Sequence, residues 1–299
     1  MDKKDFGQLV ATLRKESRNE FDEPMTQYDL AELARIPLIT LQKIEQGRQE
    51  NIKPEILLKL VNALNLSSRA RQVFFLTSLG IKDSETLKPT ASPQLVLAEL
   101  TRTLSQLQTP AFILDGFGDI VALNLSGPAV YDLDLSQINN PNLLSQHNFI
   151  RLLFSPEFEK QHAMLEKTQF DFARRTVMLF KLWTMKNRNH WYFQRLIPEL
   201  NRYQGFREHW QSPTFHDEDI FVQYNHITLK HPELGPLKFL SSPTQAITTQ
   251  GDLYLFSFQP LDAHTAEVCV RLTRKLGTQV IPVASWPKPP TPTAPLNNL

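Results

Sequence analysis

The sequence is poor in several residues and patterns that would restrict its functional class. It has one cysteine, Cys269, in 299 residues, which excludes an intramolecular disulfide framework. No apolar run is long enough to cross a bilayer, and the opening MDKKDFGQ lacks the apolar region of a signal peptide. The formal net charge of +1 excludes a strongly basic nucleic-acid coat. These absences predict a cytoplasmic protein with no membrane partner.

Catalytic and metal-binding motifs are also missing. The chain has no G-x-S-x-G elbow and no G-x-x-x-x-G-K-[ST] phosphate loop, and Gly116-Phe117-Gly118 lacks the third glycine of a dinucleotide-binding turn. Asp115 and Asp119 flank that turn and are better explained by turn chemistry than as a catalytic pair. The eight histidines form neither an H-E-x-x-H helix nor a Cys/His finger. We therefore expect no enzyme, no catalytic residue, no metal ligand and no certain cofactor.

The segment from Thr26 to Arg48, TQYDLAELARIPLITLQKIEQGR, has the spacing of two short helices that cross at a steep angle. Thr26 is a good N-cap for a first helix over about Gln27 to Arg35. Pro37 suits the first turn of a second helix, and its Leu41 and Ile44 lie three positions apart on one face. The pattern indicates a helix pair whose second member is free to enter a DNA groove.

These residues resemble the helix-turn-helix of the Cro/repressor (XRE) family, and Ile44-Glu45-Gln46-Gly47-Arg48 resembles its usual exit from the recognition helix. The resemblance implies phosphate contacts by Gln27 and Arg48 and a helix C-cap at Gly47. It also implies base contacts from the start and outer face of the second helix. The expected DNA-binding residues are Thr26, Gln27, Leu38, Ile39, Thr40, Gln42, Lys43 and Arg48.

Three positions depart from the family pattern. Arg35 stands where the family usually has glycine, so the corner must either accept a left-handed arginine or be rearranged. Leu38 and Ile39 replace polar residues and offer only apolar contact, for example to a thymine methyl group. This leaves two interpretations open: a DNA-binding surface of unusual specificity, or a degenerate helix-turn-helix that serves as a protein-interaction module.

Apolar residues at helical spacing before and after the pair predict three more helices. The expected N-terminal unit is an all-α, five-helix helix-turn-helix domain over residues 1–80. Residues 81–93, IKDSETLKPTASP, are polar and contain proline and serine, which is typical of an interdomain linker.

Residues 94–272 show strands, then helices, then strands again. A helix around Leu95–Leu107 precedes a hairpin, with strands at 111–114 and 120–124 around the turn 115–119. Further strands are expected at 220–229, 235–240 and 253–259, and a helix at 263–276. This order predicts an α+β domain with an antiparallel sheet.

The second domain resembles the ligand-binding domain of MmyB-like transcription regulators, a PAS-like fold. The resemblance is carried by Thr109-Pro110-Ala111 with Asn124, by the run Asn148–Phe154, by Phe206 with Trp210, and by His231–Gly235. It implies a small-molecule effector, with a fatty-acid-like molecule as candidate, and Arg151, Arg174 or Arg175 would meet its carboxylate. The expected ligand-binding residues are Phe112, Phe149, Arg151, Leu153, Phe154, Arg174, Arg175, Met178, Trp183, Phe206 and Trp210.

Several alternatives remain open. The aromatic residues of this set could simply form the core, and a PAS-like domain could instead bind haem or flavin as a sensor. The proline-rich residues 273–299 are expected to be a disordered tail, with a PxxP-type docking segment as the alternative. The expected partners are a double-stranded DNA operator, the small-molecule effector and a second copy of the chain, because a homodimer suits a pseudo-palindromic operator.

Overall fold

Five helices form the N-terminal unit, as the sequence predicts, in the computed structural model of the chain. The structure describes residues 3–80, 92–138, 140–165, 169–211 and 225–291, without the side chains of residues 69, 169–171 and 225. The N-terminal helices are α1 Lys3–Glu16, α2 Gln27–Leu33, α3 Leu38–Glu45, α4 Pro54–Ala63 and α5 Ser68–Ser78. No helix in the described part of the chain is long and apolar enough to cross a membrane.

The core of this unit holds α3 tightly against α1. Leu9, Leu30 and Leu41 come from three different helices, and each is completely buried. Gly7 allows the close crossing, because a Cβ atom at this position would lie 2.3 Å from the carbonyl oxygen of Ile44. The backbone of α1 therefore lies directly against the end of α3 and fixes its position.

An antiparallel sheet forms the framework of the second unit and has the strand order β3-β4-β5-β1-β2-β6 in the described residues. The β1–β2 hairpin lies where the sequence predicts it, and three later strands overlap the predicted ones. Residues 220–224 of the first of these lie outside the described ranges. The strands are β1 Ala111–Asp115, β2 Ile120–Asn124, β3 Asn225–His231, β4 Gly235–Ala246, β5 Leu253–Pro260 and β6 Val280–Pro282.

Helices cover both faces of the central strands. On one face, Phe112 and Leu123 belong to a cluster completed by several helices, and on the other face Ile113 and Val121 pack with Leu104. Strands buried on both faces are continuously apolar, as in AFILD and IVALN. The helices are α6 Pro93–Gln106, α7 Ser126–Val130, α8 Phe149–Phe154, α9 Glu159–Leu165, α10 Gln169–Thr184, α11 Trp191–Leu200, α12 Gln204–Gln211 and α13 Ala263–Leu276.

The expectation of a disordered tail from residue 273 is wrong for residues 273–291. Helix α13 continues to Leu276, and β6 then pairs antiparallel with β2. Two more hydrogen bonds extend this contact, from the Val283 N–H to Val121 and from the Ala284 N–H to Ile120, both 2.9 Å long. The tail is ordered because its backbone forms hydrogen bonds with the edge of β2, whose N–H and C=O groups would otherwise lack partners. Residues 292–299 lie outside the described ranges.

The two units are in direct contact through the end of α10. The 3-10 turn Met185–Asn187 follows this helix, and Met185 is buried within the apolar core of the N-terminal unit. Arg188 forms an ion pair with Glu16 of α1, and the Asn189 side chain donates to the Asp5 carbonyl at 3.1 Å. One helix therefore belongs to the second unit and ends in the core of the first.

Candidate DNA interface and ligand cavity

Local hydrogen bonds fix the entry to α2 and the corner that leads to α3. The Thr26 hydroxyl accepts from the Asp29 N–H at 3.1 Å, and the Asp29 carboxylate accepts from the Thr26 N–H at 2.7 Å. This reciprocal capping box stabilises the first turn. Arg35 has φ +51°, and the following Ile36 N–H donates to Ala31 at 3.0 Å. The corner thus accepts a left-handed arginine, the first of the two possibilities that the sequence left open.

The end of α3 has the hydrogen-bond pattern of a Schellman motif. Gly47 has φ +68°, its N–H donates to Ile44 at 2.9 Å, and the Arg48 N–H donates to Lys43 at 2.8 Å. The C-cap position itself is Gln46, so Gly47 is the left-handed residue just after it. Arg48 therefore leaves the helix at a defined angle, with its side chain exposed.

A buried carboxylate ties three helices together. Arg14 Nε of α1 donates to Glu45 Oε1 of α3 at 2.7 Å, and Gln27 Nε2 of α2 donates to Glu45 Oε2 at 2.6 Å. The Arg14 and Glu45 side chains are 9% and 6% exposed. The Gln27 amide has two N–H donors, so one remains for the phosphate contact that the sequence predicts.

The outer surface of α3 combines apolar and basic side chains. Leu38 and Ile39 are 36% and 59% exposed, and Lys43 is also exposed. Of the other expected DNA-binding residues, Thr26 and Arg48 are exposed and Gln27, Thr40 and Gln42 are half-buried. Tyr28, at the second position of α2, is 63% exposed and was not expected from the sequence as a DNA contact. The sequence feature that could have identified Tyr28 is its place as an aromatic residue outside the buried face of α2.

An apolar cavity lies in the second unit between the hairpin face of the sheet and helices α7 to α10. The centres of water-sized spheres can occupy about 70 Å³ of it. The lining residues are Pro110, Phe112, Ile120, Leu123, Gly127, Pro128, Tyr131, Leu133, Phe149, Leu152, Leu153, Phe158, Gln161, His162, Leu165, Phe172 and Phe258.

Few polar groups reach this cavity, and two of them already have partners. Gln161 donates to the Asp132 carbonyl, and a His162 ring nitrogen lies 2.8 Å from the Leu152 carbonyl. The Tyr131 hydroxyl is buried and has no hydrogen-bond partner among the described residues. Burial raises the pKa of this phenol, so it stays protonated and can donate. The cavity therefore offers an apolar wall with one available hydroxyl.

Comparison with known families assigns both units. The model of the MmyB-like transcription regulator ligand binding domain matches residues 96–272, more than half of the chain. The chain belongs to this family. A helix-turn-helix family model matches residues 25–70. A comparison with curated proteins gave no match. The protein is therefore a ligand-responsive, DNA-binding transcription regulator, and both matched families are regulator domains.

The arginines expected to meet a ligand carboxylate do not line the cavity of this MmyB-like regulator. The Arg151 side chain is only 1% exposed, and it donates to the Gln146 carbonyl at 2.9 Å and forms an ion pair with Glu157. Arg174 and Arg175 are half-buried and lie outside the cavity lining. The expectation is corrected for Arg151, because this side chain holds the loop before α8, whereas the expectation for Arg174 and Arg175 stays a prediction.

The expected apolar contacts divide between the cavity and the core of the MmyB-like domain. Phe112, Phe149 and Leu153 line the cavity. Met178 and Trp183 pack against the sheet but do not line the cavity. The Trp183 ring stacks on the Tyr254 ring, with 4.5 Å between the ring centroids. The remaining three lie in the packing between α8, α10 and α12: Phe154, Phe206 and Trp210. These five residues therefore pack in the core of the domain and do not line the cavity.

The carboxylates of the hairpin turn hold the tail of this regulator. Asp115 Oδ1 accepts from the Phe117 and Asp119 N–H groups, both at 2.9 Å, as turn chemistry predicts. Lys288 Nζ also lies 2.6 Å from Asp119 and 3.5 Å from Asp115, and the Tyr192 hydroxyl donates to Asp119. Burial raises the pKa of Asp115 to about 6, and Lys288 opposes this shift. Across the described ranges, no three histidine, cysteine or carboxylate side chains converge as metal ligands.

Proposed function

We propose that α3 is a recognition helix that binds an operator in the major groove. The observation that supports this is that hydrogen bonds fix both ends of α3, while Lys43 and Arg48 are exposed beside Leu38 and Ile39. Tyr28 and the second amide hydrogen of Gln27 would contact the flanking phosphates. The test is an electrophoretic shift with the DNA upstream of the protein's own gene. Absence of any specific shift would favour the protein-interaction module instead.

The operator-bound form is proposed to be a homodimer. Two recognition helices related by a two-fold axis would lie about 34 Å apart and read a pseudo-palindromic site. Sedimentation of the protein with a single operator should then give two chains for each duplex. One chain on a complete operator would contradict the dimer without affecting the DNA-binding proposal.

The effector is proposed to be an apolar or amphipathic molecule, with a fatty-acid-like compound as candidate, bound in the cavity beside Tyr131. The cavity wall excludes a highly charged ligand, since Tyr131, Gln161 and His162 are its only polar side chains within the described lining. A carboxyl or hydroxyl head group would accept the Tyr131 hydrogen bond, while the carbon chain contacts Phe112 and Phe149.

Mass spectrometry of molecules that co-purify with the protein tests this assignment directly. Tyr131→Phe should then weaken binding of the identified ligand about three- to tenfold, because one neutral hydrogen bond contributes about 0.5–1.5 kcal/mol. Tyr203→Phe removes a hydroxyl outside the cavity lining and serves as the matched control. A ligand that binds equally well to the Tyr131 variant would contradict the head-group placement.

Helix α10 is proposed to carry the ligand response to the DNA-binding unit. Phe172 near its start lines the cavity, while Leu182 near its end and Met185 just after it pack in the core of the helix-turn-helix unit. The helix rises about 15 Å over the ten steps from Phe172 to Leu182. Coupling must be reciprocal, so operator DNA should change ligand affinity by the same factor. Equal ligand affinities with and without DNA would refute the coupling.

A further inference from the structure

The C-terminal residues 280–289 form a strap that lies along one edge of the sheet and ends on the hairpin turn. β6 pairs with β2, and two backbone N–H groups just after β6 donate to β2 as well. Beyond them, the Lys288 ammonium group lies 2.6 Å from Asp119 and 3.5 Å from Asp115, and the lysine side chain is 10% exposed. The strap is therefore fastened at two points, by its backbone on β2 and by one buried ammonium group on the turn.

The strap also contacts the start of α11. Trp191 Nε1 donates to the Pro289 carbonyl at 2.8 Å, and Lys288 Nζ lies 4.8 Å from the centroid of the Tyr192 ring. The Tyr192 hydroxyl donates to Asp119, the same carboxylate that pairs with Lys288. These contacts hold the strap, the hairpin turn and the start of α11 together.

Residues 185–192 form a bridging segment that contacts both units. On one side, Met185 lies in the core of the N-terminal unit, and Arg188 forms its ion pair with α1. On the other side, the His190 ring lies against the Phe117 ring of the hairpin turn, with 5.0 Å between the ring centroids. One short segment thus joins the N-terminal unit to the turn that the strap holds.

The strap can leave the sheet without unfolding the rest of it. β6 is three residues long, and in the described sheet it pairs with β2 at the edge. Short elements at an edge open locally at a lower free energy than the central strands. The pairing of β1 with β2 and with β5 does not depend on β6, so loss of the strap is a local event.

We infer that the strap fastens the bridging segment and thereby controls how firmly the two units hold each other. If the strap leaves, Asp115 and Asp119 lose the cation that lies between them, and a buried charge without its partner is strongly destabilising. The turn and the start of α11 must then move apart or admit water. Two residues separate Arg188 from the start of α11, so this movement reaches the ion pair between the units. The inference requires neither operator DNA nor the apolar effector, so it does not rest on the proposed function.

Thiol labelling of the full chain measures the opening of this contact. Met185→Cys places a thiol in the contact between the units, at a position that is 2% exposed. The native Cys269 on the buried face of α13 is also 2% exposed and serves as an internal reference. A buried thiol reacts only when its surroundings open, and mass spectrometry of the peptides gives the rate of each. With Lys288→Met in the same chain, the introduced thiol should react at least tenfold faster and Cys269 at an unchanged rate. Amide hydrogen exchange in the strap should also become faster.

A second strap variant and a matched control complete the experiment. Trp191→Phe removes the hydrogen bond to Pro289 and leaves Lys288 in place, so it should speed labelling of the introduced thiol about three- to tenfold, the effect expected of one hydrogen bond. Lys275→Met removes an exposed lysine in the last turn of α13 and should change neither rate.

The inference is overturned if the introduced thiol reacts no faster in Lys288→Met, or if the strap amides exchange no faster. Equal acceleration of both thiols would also overturn it, because Lys288 would then support the whole ligand-binding domain rather than the contact between the units. If Lys288→Met fails to fold, Trp191→Phe decides alone, and an unchanged rate of the introduced thiol refutes the inference.

Discussion

Replacing Gly7 by alanine is expected to displace the recognition helix. The new Cβ atom would lie 2.3 Å from the Ile44 carbonyl oxygen and 2.6 Å from that of Glu45, closer than such contacts can be. Both are backbone atoms of α3 and cannot rotate aside, so α1 and α3 must separate. Overpacking of this kind costs about 1–3 kcal/mol or more, and the better helix propensity of alanine offsets about 1 kcal/mol. Because the clash involves rigid backbone, we expect a net destabilisation of about 2 kcal/mol.

Urea unfolding of the helical unit, followed by circular dichroism, measures this effect, and operator titration reports the displaced helix. Gly127→Ala is the matched control, since its Cβ atom would lie 3.9 Å from the nearest atom, Asn124 Oδ1. The control should unfold at the same or a slightly higher urea concentration. A Gly7→Ala protein that is as stable as the control and binds the operator normally would refute the close-crossing argument.

Other substitutions test the charged groups. Lys43→Ala and Arg48→Ala should each weaken operator binding and reduce the slope of log affinity against log salt by about 1, as salt titrations would show. The pKa of Asp115 is raised to about 6 in the folded chain, so the native state binds the extra proton, and its contribution to stability is lost as pH rises from about 4 to 6. Asp115→Asn should flatten that part of the profile of urea midpoint against pH. The pKa of Lys181 falls from 10.5 to about 8, so the unfolded chain binds more protons between these values and stability rises with pH there. Lys181→Met should raise the unfolding free energy at pH 7 by up to about 3 kcal/mol and abolish that rise.

The helix-turn-helix was predictable because its signals are local. The capping residue Thr26 and the glycine after Gln46 each form hydrogen bonds within a few residues of their own position. The apolar spacing of α2 and α3 is also read within a single short segment. Even at the unusual Arg35 the sequence limited the corner to two geometries, a left-handed arginine or a rearranged turn. What the local pattern could not reveal was Gly7, because its importance depends on a backbone that lies some forty positions away.

The ligand cavity was predictable only in part because α10 is apolar on more than one face. Met178 and Trp183 face the sheet cluster, whereas Val177 and Phe180 face α11 and α12. Helical periodicity identifies such faces but not which of them borders a cavity. Arg151 was misplaced for a similar reason, since its acceptors include backbone carbonyls from the preceding loop, which leave no side-chain pattern in the sequence.

The ordered tail illustrates a different limit. A three-residue strand has too little periodicity to be recognised, and the prolines around it favour an interpretation as disorder. Its order depends on β2, which needs a partner at its edge, and on Lys288, which neutralises Asp115 and Asp119. None of these contacts is visible until the hairpin and the tail are placed in the same sheet.

The size of the proposed ligand cavity limits which occupants could act at the DNA. A ligand that fits between the existing walls binds the present arrangement of α10 and any other arrangement equally well, and such a ligand shifts neither. A longer acyl chain must push the walls apart, and one of them is Phe172 of α10. Close-packed interiors do not yield continuously, so we expect the helix to move as a unit with Leu182 near its other end. Chain length, rather than affinity alone, should therefore decide whether a bound ligand alters operator binding.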